Sequence, residues 1–313
     1  MKKIKYKILI SAIPLVPIFK KYKKFFDTKR YSIDLKKTDQ YLNENQLLKI
    51  IDKYHGVICG DDEFSRRVLM KASNLKVISK WGTGINSIDL NFAKIKKIKV
   101  LNTPSAFSYS VATMAISMIL SYFRKIIDNH NLIKKNKWPK LQGETLLNKK
   151  IGVIGVGNIG KKIFEMLLGF ETINYANDLK IINRSFLKRY KIKQVSKKKI
   201  FRESDILITA SDLNKSSYHL LNKKTLKLIK KNVLIVNISR GSLIDNNALI
   251  KFLKKNPHSG ACLDVFEDEP LKRNSKFLSL KNCILTSHNA FNTYYEVEKT
   301  HINTINNILK ILR

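Results

Sequence analysis

The stretch Ile151-Gly-Val-Ile-Gly-Val-Gly-Asn-Ile-Gly160 constrains this 313-residue chain more than any other. Gly155, Gly157 and Gly160 stand in G-x-G-x-x-G spacing, a pattern that means little by itself. Its flanks give it meaning. An apolar strand precedes the first glycine, and Ile159, Ile163, Met166 and Leu167 follow at helical spacing. A second strand then ends at Asp178, 18 residues after Gly160. Such a strand–turn–helix–strand unit predicts a parallel sheet with helices on its faces. Gly155 permits a tight turn, Gly157 lets backbone approach a pyrophosphate, and Gly160 lets helix and strand pack closely. The helix N-terminus offers N–H groups and the positive end of its dipole to phosphates. Asp178 is placed to accept hydrogen bonds from both ribose hydroxyls and to repel a 2′-phosphate, which predicts NAD. Lys180 and Arg184 follow it closely.

Short apolar runs alternate with helical patterns along most of the chain, which predicts an α/β protein. Lys7 to Ser11, Gly56 to Cys59, Val77 to Ser79 and Lys99 to Leu101 read as strands of a first unit. Glu44 to Tyr54 and Ser65 to Ala72 are amphipathic stretches between them. Asn102-Thr-Pro104 breaks the pattern, and the apolar run Ser110 to Phe123 reads as a buried helix crossing to a second unit. That unit opens with a strand at Lys150 and continues through Thr172 to Ala176, Asp205 to Ala210, Val233 to Ile238, Gly260 to Val265 and Cys283 to Thr286. Lys188 to Lys199 reads as an exposed connection. After Asn289 only one helix remains, about Tyr294 to Leu312, too short for a domain. It is expected to pack back on the first unit, giving one unit of 1–101 with 290–313 and another of 102–289.

Composition excludes more than it assigns. At 44% hydrophobic residues the chain buries a sizeable core, which argues against disorder or a coiled coil. Lys and Arg number 60 against 24 Asp and Glu, a net charge of +36 that raises nucleic acid or an anionic membrane as partners. Only 10 of the basic residues are Arg, and the 50 Lys accompany 40 Ile and 28 Asn. All three have A/T-rich codons, so a genome-wide bias accounts for them, and the lysines are spread along the chain. No nucleic-acid partner is expected, although a surface of this sign draws anionic substrates. Cys59, Cys262 and Cys283 sit in apolar runs and read as buried thiols rather than a disulfide framework. The basic Met1 to Lys7 and apolar Ile8 to Phe19 imitate a secretory signal. Pro14 and Pro17 interrupt it and no small-residue cleavage site follows. With no apolar run of the roughly 18 residues a membrane helix needs, a cytoplasmic protein is expected. No metal cluster is expected.

Three polar residues stand where an open α/β sheet places its chemistry, beyond the carboxyl ends of strands. Arg240 ends Val233-Leu-Ile-Val-Asn-Ile-Ser-Arg240. Glu269 lies in Asp264-Val-Phe-Glu-Asp-Glu-Pro270, and His288 in Ser287-His-Asn-Ala290. Singly, each has a bland reading as a surface ion pair or a structural histidine. After three successive strands of a dinucleotide fold they are harder to dismiss.

With these residues in place the chain resembles the D-isomer-specific 2-hydroxyacid dehydrogenases, particularly the branch similar to 3-phosphoglycerate dehydrogenase. The resemblance runs from about Gly56 to Asn292. Ser79-Lys-Trp-Gly-Thr-Gly-Ile-Asn-Ser-Ile-Asp89, Asn102-Thr-Pro104, the glycine motif and the three catalytic motifs carry it, in the family's order. It implies two Rossmann-like domains: a discontinuous substrate domain and an inserted, doubly wound parallel-sheet domain that binds NAD. A cleft would hold substrate against the nicotinamide. By resemblance, Arg240 binds the substrate carboxylate bidentately. His288 takes the hydroxyl proton during oxidation and returns it during reduction. Glu269 orients the imidazole and raises its pKa. Gly82, Thr83 and Gly84 would supply N–H groups to the carboxylate, with Lys80 as an additional cation. Asn158, Ile159, Ala210, Ser239, Asp264 and His288 join the glycines and Asp178 around the cofactor.

The family's His-x-Pro after the fourth Rossmann strand is here Ala210-Ser-Asp212, its acidic residue in the long helix is Thr113, and Asn86 stands where Asp is common. The amino-acid-sensing domain of longer phosphoglycerate dehydrogenases is not expected here, since the sequence ends at Arg313. The resemblance implies hydride transfer between NAD(H) and a small anionic D-2-hydroxy or 2-keto acid, 3-phosphoglycerate and glycerate or hydroxypyruvate among the candidates, by a homodimer. The alternative is a non-catalytic NAD(H)-sensing protein, as in the family's corepressors, and turnover of any 2-keto acid separates the two.

Overall fold

A computed structural model describes residues 5–313, so residues 1–4 of the basic N-terminal lead lie outside the described residues. The chain divides into two compact units, Met1–Phe107 with Thr293–Arg313, and Ser108–Asn292. The borders follow Phe107 and Asn292, against the expected 101 and 289. Residues 102–107 stay with the first unit because the Thr103 amide and hydroxyl both donate to Gly82 O at 3.0 Å. Asn102 Nδ2 also donates to Thr83 O at 2.7 Å, and the Phe107 ring lies 5.4 Å from that of Trp81.

The first unit is a five-stranded parallel sheet of β1 (Tyr6–Ile10), β2 (Tyr31–Leu35), β3 (Gly56–Cys59), β4 (Val77–Lys80) and β5 (Lys99–Leu101), in the order β2-β1-β3-β4-β5. β3 and β4 are buried at every residue, as expected of central parallel strands covered on both faces. The apolar stretch Ile8 to Phe19 is divided between β1 and a 3₁₀ helix that begins at Val16. The amphipathic stretch from Glu44 opens with an Asn43–Gln46 capping box, yet it breaks after Leu48 and resumes as a 3₁₀ turn, Ile51–Lys53. The last helix, Tyr294–Ile311, packs on β3 and β4 as its length suggested. A Cβ at Gly56 would sit 2.8 Å from Ile308 Cδ1, so the helix packs close enough that any side chain there would displace the tips of Ile308 and Leu312. Ser79 Oγ donates to Thr304 O at 2.8 Å from the facing strand.

The second unit is a seven-stranded parallel sheet of β6 (Lys150–Ile154), β7 (Ile173–Asn177), β8 (Ile192–Gln194), β9 (Ile206–Thr209), β10 (Leu234–Asn237), β11 (Gly260–Leu263) and β12 (Cys283–Leu285). Their order is β12-β11-β10-β9-β6-β7-β8, the doubly wound arrangement with its reversal between β6 and β9. Ile206, Leu207 and Ile208 are wholly buried, each worth about 1.5–3 kcal/mol of transfer free energy. The helix Ser108–Phe123 covers one end of the sheet: Cys262 Sγ donates to Met118 O, and a Cβ at Gly260 would fall 2.3 Å from the Tyr122 ring. No single helix among the described residues is long and apolar enough to cross a membrane.

Three readings need correction. Lys188 to Lys199 is no mere connection, since it contains edge strand β8 and the start of the helix Lys197–Glu203. β8 buries only Ile192, too little to leave an apolar run. β2, likewise at an edge, had no strand assigned to it. Cys59 and Cys262 are buried thiols, but Cys283, on edge strand β12, is half-buried.

On the terminal helix His301 is fully buried. Trp81 Nε1 donates to its Nδ1 at 3.0 Å, so the ring's own proton is on Nε2, which has no partner among the described residues. Burial holds its pKa down at about 4, with the nearby Glu298 opposing and Lys21 assisting. A histidine depressed in this way adds stability that is present above its unfolded value near 6.5 and is lost as pH falls toward 4. The amount is on the order of 3 kcal/mol. His301→Gln, which does not titrate, should therefore lower Tm at pH 7 through lost packing, and the deficit should narrow by about pH 4.5. Melting curves of both proteins at the two pH values check this; a constant deficit would place the acid sensitivity elsewhere.

Candidate active site

The three glycines hold the positions their spacing required. Gly155 adopts φ +97°, and a Cβ there would lie 2.4 Å from Ser211 N, so β6 and β9 close against each other only through glycine. A Cβ at Gly160 would meet Gly155 O at 2.2 Å. A Cβ at Gly157 would meet nothing within 4 Å, leaving an open approach at the N-terminus of the helix Asn158–Leu167. That helix begins with Asn158 and Ile159 and has no side-chain cap from Gly157. A pyrophosphate fits this opening, where helix dipole and backbone donors favour an anion.

Asp178 follows β7 and ties the cradle together. Its Oδ2 accepts from Val156 N at 2.6 Å and its Oδ1 from Lys180 N at 2.8 Å. Each oxygen keeps a lone pair for a ribose hydroxyl. Across the seam, Ala210 N donates to Ile154 O at 2.8 Å, which makes Ala210 part of the sheet closure. Its neighbour Ser211 has a buried hydroxyl without a partner among the described residues. This buried hydroxyl beside Gly155 is left available to a bound group, and sequence reasoning did not single it out. The signal was present as a polar residue ending an apolar strand, but it registered only as a departure from a motif. The donor set and the open glycine face fit a dinucleotide.

Arg240, Glu269 and His288 come together on one cleft of about 270 Å³, with Leu213, Phe266 and Glu267 also in its walls. Arg240 follows β10 in extended conformation, and its Nη1 donates to Ser239 O at 2.7 Å. Ser239 is turned inward, its hydroxyl donating to Thr209 O at 3.1 Å. His288 Nδ1 lies 2.7 Å from Glu269 Oε2, while Glu269 Oε1 accepts from Phe266 N at 2.9 Å. Both side chains are partly exposed, at 41% and 32%.

His288 has φ +52°, a conformation that L residues adopt at a cost. Asp264, only 1% exposed, holds it there. Asp264 O accepts from His288 N at 2.7 Å, and its carboxylate accepts from Asn289 N at 2.8 Å, Ala290 N at 3.0 Å and Thr286 Oγ1 at 2.6 Å. The residue read as a cofactor ligand thus also fixes the loop that carries the imidazole.

The hydrogen bond to Glu269 raises the His288 pKa above its ordinary value. Burial and Arg240 oppose this, while the charges of Glu269 and Asp264 add to it. For Glu269, burial alone would push the carboxyl up, but the His288 bond, the Phe266 amide and Arg240 hold it below its usual value. The result is a proton donor with a tethered ring, next to a guanidinium able to grip a planar anion.

Lys80, Gly82, Thr83 and Gly84 belong to the first unit. Lys80 is buried at the end of β4, with Nζ 3.0 Å from Asp61 Oδ1 and donating to Trp81 O at 3.2 Å. Gly82 takes φ +117° and leads into Thr83, which is exposed, and Gly84, which is half-buried. No three His, Cys, Asp or Glu side chains among the described residues are grouped to hold a metal.

The sequence model of the family described as D-isomer specific 2-hydroxyacid dehydrogenase, NAD binding domain, matches residues 116–290. Hydroxypyruvate reductase of Thermotoga maritima is 34% identical over 289 residues, 89% of this chain and 92% of that protein. Glyoxylate reductase of Thermofilum pendens is 31% identical over 285 residues, 87% of this chain and 82% of that protein. The solved D-lactate dehydrogenase of Aquifex aeolicus, complexed with NAD and lactic acid, has a TM-score of 0.85 at 24% identity over 96% of this chain and 94% of that one. At that identity the likeness is one of fold.

Replacing the Glu269 charge while keeping its shape should weaken the protonated imidazole. Glu269→Gln is expected to move the His288 titration to lower pH, followed through the imidazole C–H resonances. A midpoint that stays or rises would mean that Glu269 does not stabilise the cation.

Proposed function

The chain belongs to the D-isomer-specific 2-hydroxyacid dehydrogenase family, and on that footing we propose that it reduces glyoxylate or hydroxypyruvate to the corresponding 2-hydroxy acid. It is an NAD-dependent enzyme of that family. The observation that carries the site assignment is the 2.7 Å contact of His288 with Glu269 on the cleft that Arg240 also lines. The choice of keto acid draws on the activities named for the two relatives of near-full coverage. A phosphorylated acid, suggested by the basic surface, becomes one arm of the test.

Arg240 grips the carboxylate through two parallel hydrogen bonds and so fixes the adjacent carbonyl carbon. His288, protonated, donates from Nε2 to the carbonyl oxygen as negative charge develops there. Glu269 stabilises the imidazolium before transfer and keeps the ring aimed afterwards. Gly155, Gly157, Gly160, Asp178 and Ser211 would hold the cofactor, which when bound as NADH supplies the hydride. In the reverse direction neutral His288 takes the hydroxyl proton. Reduction therefore weakens as pH rises through the His288 pKa, which lies above the ordinary imidazole value, and oxidation strengthens over the same range.

We also assign a homodimer. The helix Ile126–Ile133 has no buried residue, and Ile126, Ile127 and Trp138 are exposed at 53%, 44% and 84%. A second copy of the chain covering this face would remove that apolar surface from water. The three unpaired thiols suit a reducing, cytoplasmic setting.

NADH oxidation should be fastest with glyoxylate or hydroxypyruvate among those two, pyruvate, 2-ketoglutarate and phosphohydroxypyruvate. Absence of turnover with all five would sink the enzymatic reading. Arg240→Lys should lose at least tenfold in kcat/KM despite keeping its charge, because Lys cannot form the paired bonds. Loss within about twofold would show that Arg240 does not hold the carboxylate. By light scattering, Trp138→Glu should run as a monomer where the wild type runs as a dimer.

A further inference from the structure

The cleft has one carboxylate that the chemistry above leaves unused. Glu267 is two residues before Glu269 and lines the same wall. Its Oε1 lies 2.6 Å from His219 Nε2, and its Oε2 accepts from Asn246 N at 2.9 Å. Asn246 is the first residue of the helix Asn246–Lys255, so the carboxylate also faces the positive end of a helix. His219 comes from the loop after β9, Asn246 ends the loop after β10, and Glu267 belongs to the loop after β11. One side chain thus joins three consecutive strand-end loops, which include Ser211, Arg240 and Glu269.

The backbone around this junction is tightly set. His219 N donates to Ser242 O at 2.9 Å, Leu221 N to Leu243 O at 3.0 Å, and Asp245 N to Leu221 O at 2.9 Å. The first two loops are therefore zipped together. A Cβ at Gly241 would fall 1.9 Å from Phe266 C and O and 2.5 Å from Glu267 N, so the Arg240 loop lies directly on the third. The Tyr218 ring stacks on His219 at 4.1 Å and fixes the imidazole plane. Against this background the Glu267 side chain is a polar tie from the third loop to the other two, while the Glu269 side chain, among the described residues, hydrogen-bonds to Phe266 N within its own loop and to His288.

We propose that Glu267, through His219 and the Asn246 amide, is a positioning residue that holds the Glu269–His288 pair at its working distance from Arg240. This rests on the reading of Arg240, Glu269 and His288 given above. Loosening the tie lets the Glu269 loop drift while Arg240 stays with the β10 loop. Carboxylate binding then persists and proton delivery goes out of line. The groups facing His288 are Glu269, Asp264 and Arg240. Of these, Asp264 is held by its own loop bonds, so the drift is felt through Glu269.

The test compares Glu267→Ala, Glu267→Gln, His219→Ala and the double alanine variant, each shown to be folded by its melting curve. With glyoxylate and NADH, Glu267→Ala should lose at least tenfold in kcat, with the KM for glyoxylate within threefold and NADH affinity within twofold of wild type. Gln keeps the acceptor for Asn246 and can donate to His219, so Glu267→Gln should stay within threefold of wild-type kcat. His219→Ala should show most of the loss, and the double variant should be within twofold of Glu267→Ala, because the two residues act as one unit. A second readout does not need turnover: the His288 titration, followed by NMR, should move at least half a pH unit lower in Glu267→Ala and hardly at all in Glu267→Gln. If the wild type turns over no keto acid, the functional reading fails and the titration alone decides the positioning role. Should Glu267→Ala not fold, His219→Ala and Glu267→Gln decide it by the same measures. The proposal is overturned by a folded alanine variant with wild-type kcat and an unmoved His288 midpoint. It is also overturned by a glutamine variant that behaves like alanine, which would mean charge at a distance, or by losses that simply add.

Discussion

At the seam between β6 and β9 the sheet of the second unit reverses its strand order, and the two strand ends touch through bare backbone. A side chain on Gly155 would collide with Ser211, so the crevice exists only because that position has none. Every strand of this sheet is parallel, and every strand end with chemistry points to the same edge. Residues far apart in sequence, from the glycine loop to His288, are gathered there without any long loop to carry them. The rest of the site inherits its placement from this closure. Ser239 ties the end of β10 to β9 through Thr209 O, and Asp264 ties the end of β11 to the loop after β12.

Much of this was legible in the chain because the buried parallel strands leave continuous apolar runs. β3, β6, β9, β10 and β11 each read directly, since both faces are covered and no polar alternation interrupts them. The strands that escaped, β2 and β8, lie at edges, where half-buried Ser32 and exposed Lys193 dilute the pattern. The glycine loop and Asp178 were readable because their spacing is fixed by local geometry. Ser211 and the His219–Glu267 contact were not, for different reasons. The hydroxyl shows itself only by being buried without a partner, and the His219–Glu267 contact spans 48 positions with no periodicity to announce it.

The chain is strongly basic, yet its site is locally acidic. Asp264, Glu267, Asp268 and Glu269 fall within six residues in a protein with only 24 acidic side chains. That density does different work at each position. Asp264 is buried and occupied by backbone donors, whereas Glu269 is half-exposed and faces an imidazole. Screening by salt weakens the diffuse lysine field far more than these short contacts. The proton affinity of His288 is therefore set by its neighbours and not by the net charge of the surface.

The left-handed backbone at His288 has a bearing on which sequences could ever occupy that position. Asparagine and glycine tolerate this conformation, while valine, isoleucine and threonine pay for it with steric strain. A tolerance map of the site would accordingly rank replacements first by backbone fit and only then by chemistry. Asparagine is the substitution that silences the imidazole with the least disturbance to the loop. A β-branched residue confounds two losses in one, and its inactivity would say nothing about protons. Drift away from catalysis, toward a scaffold that merely holds its cofactor, has its lowest steric barrier through asparagine or glycine at this single residue.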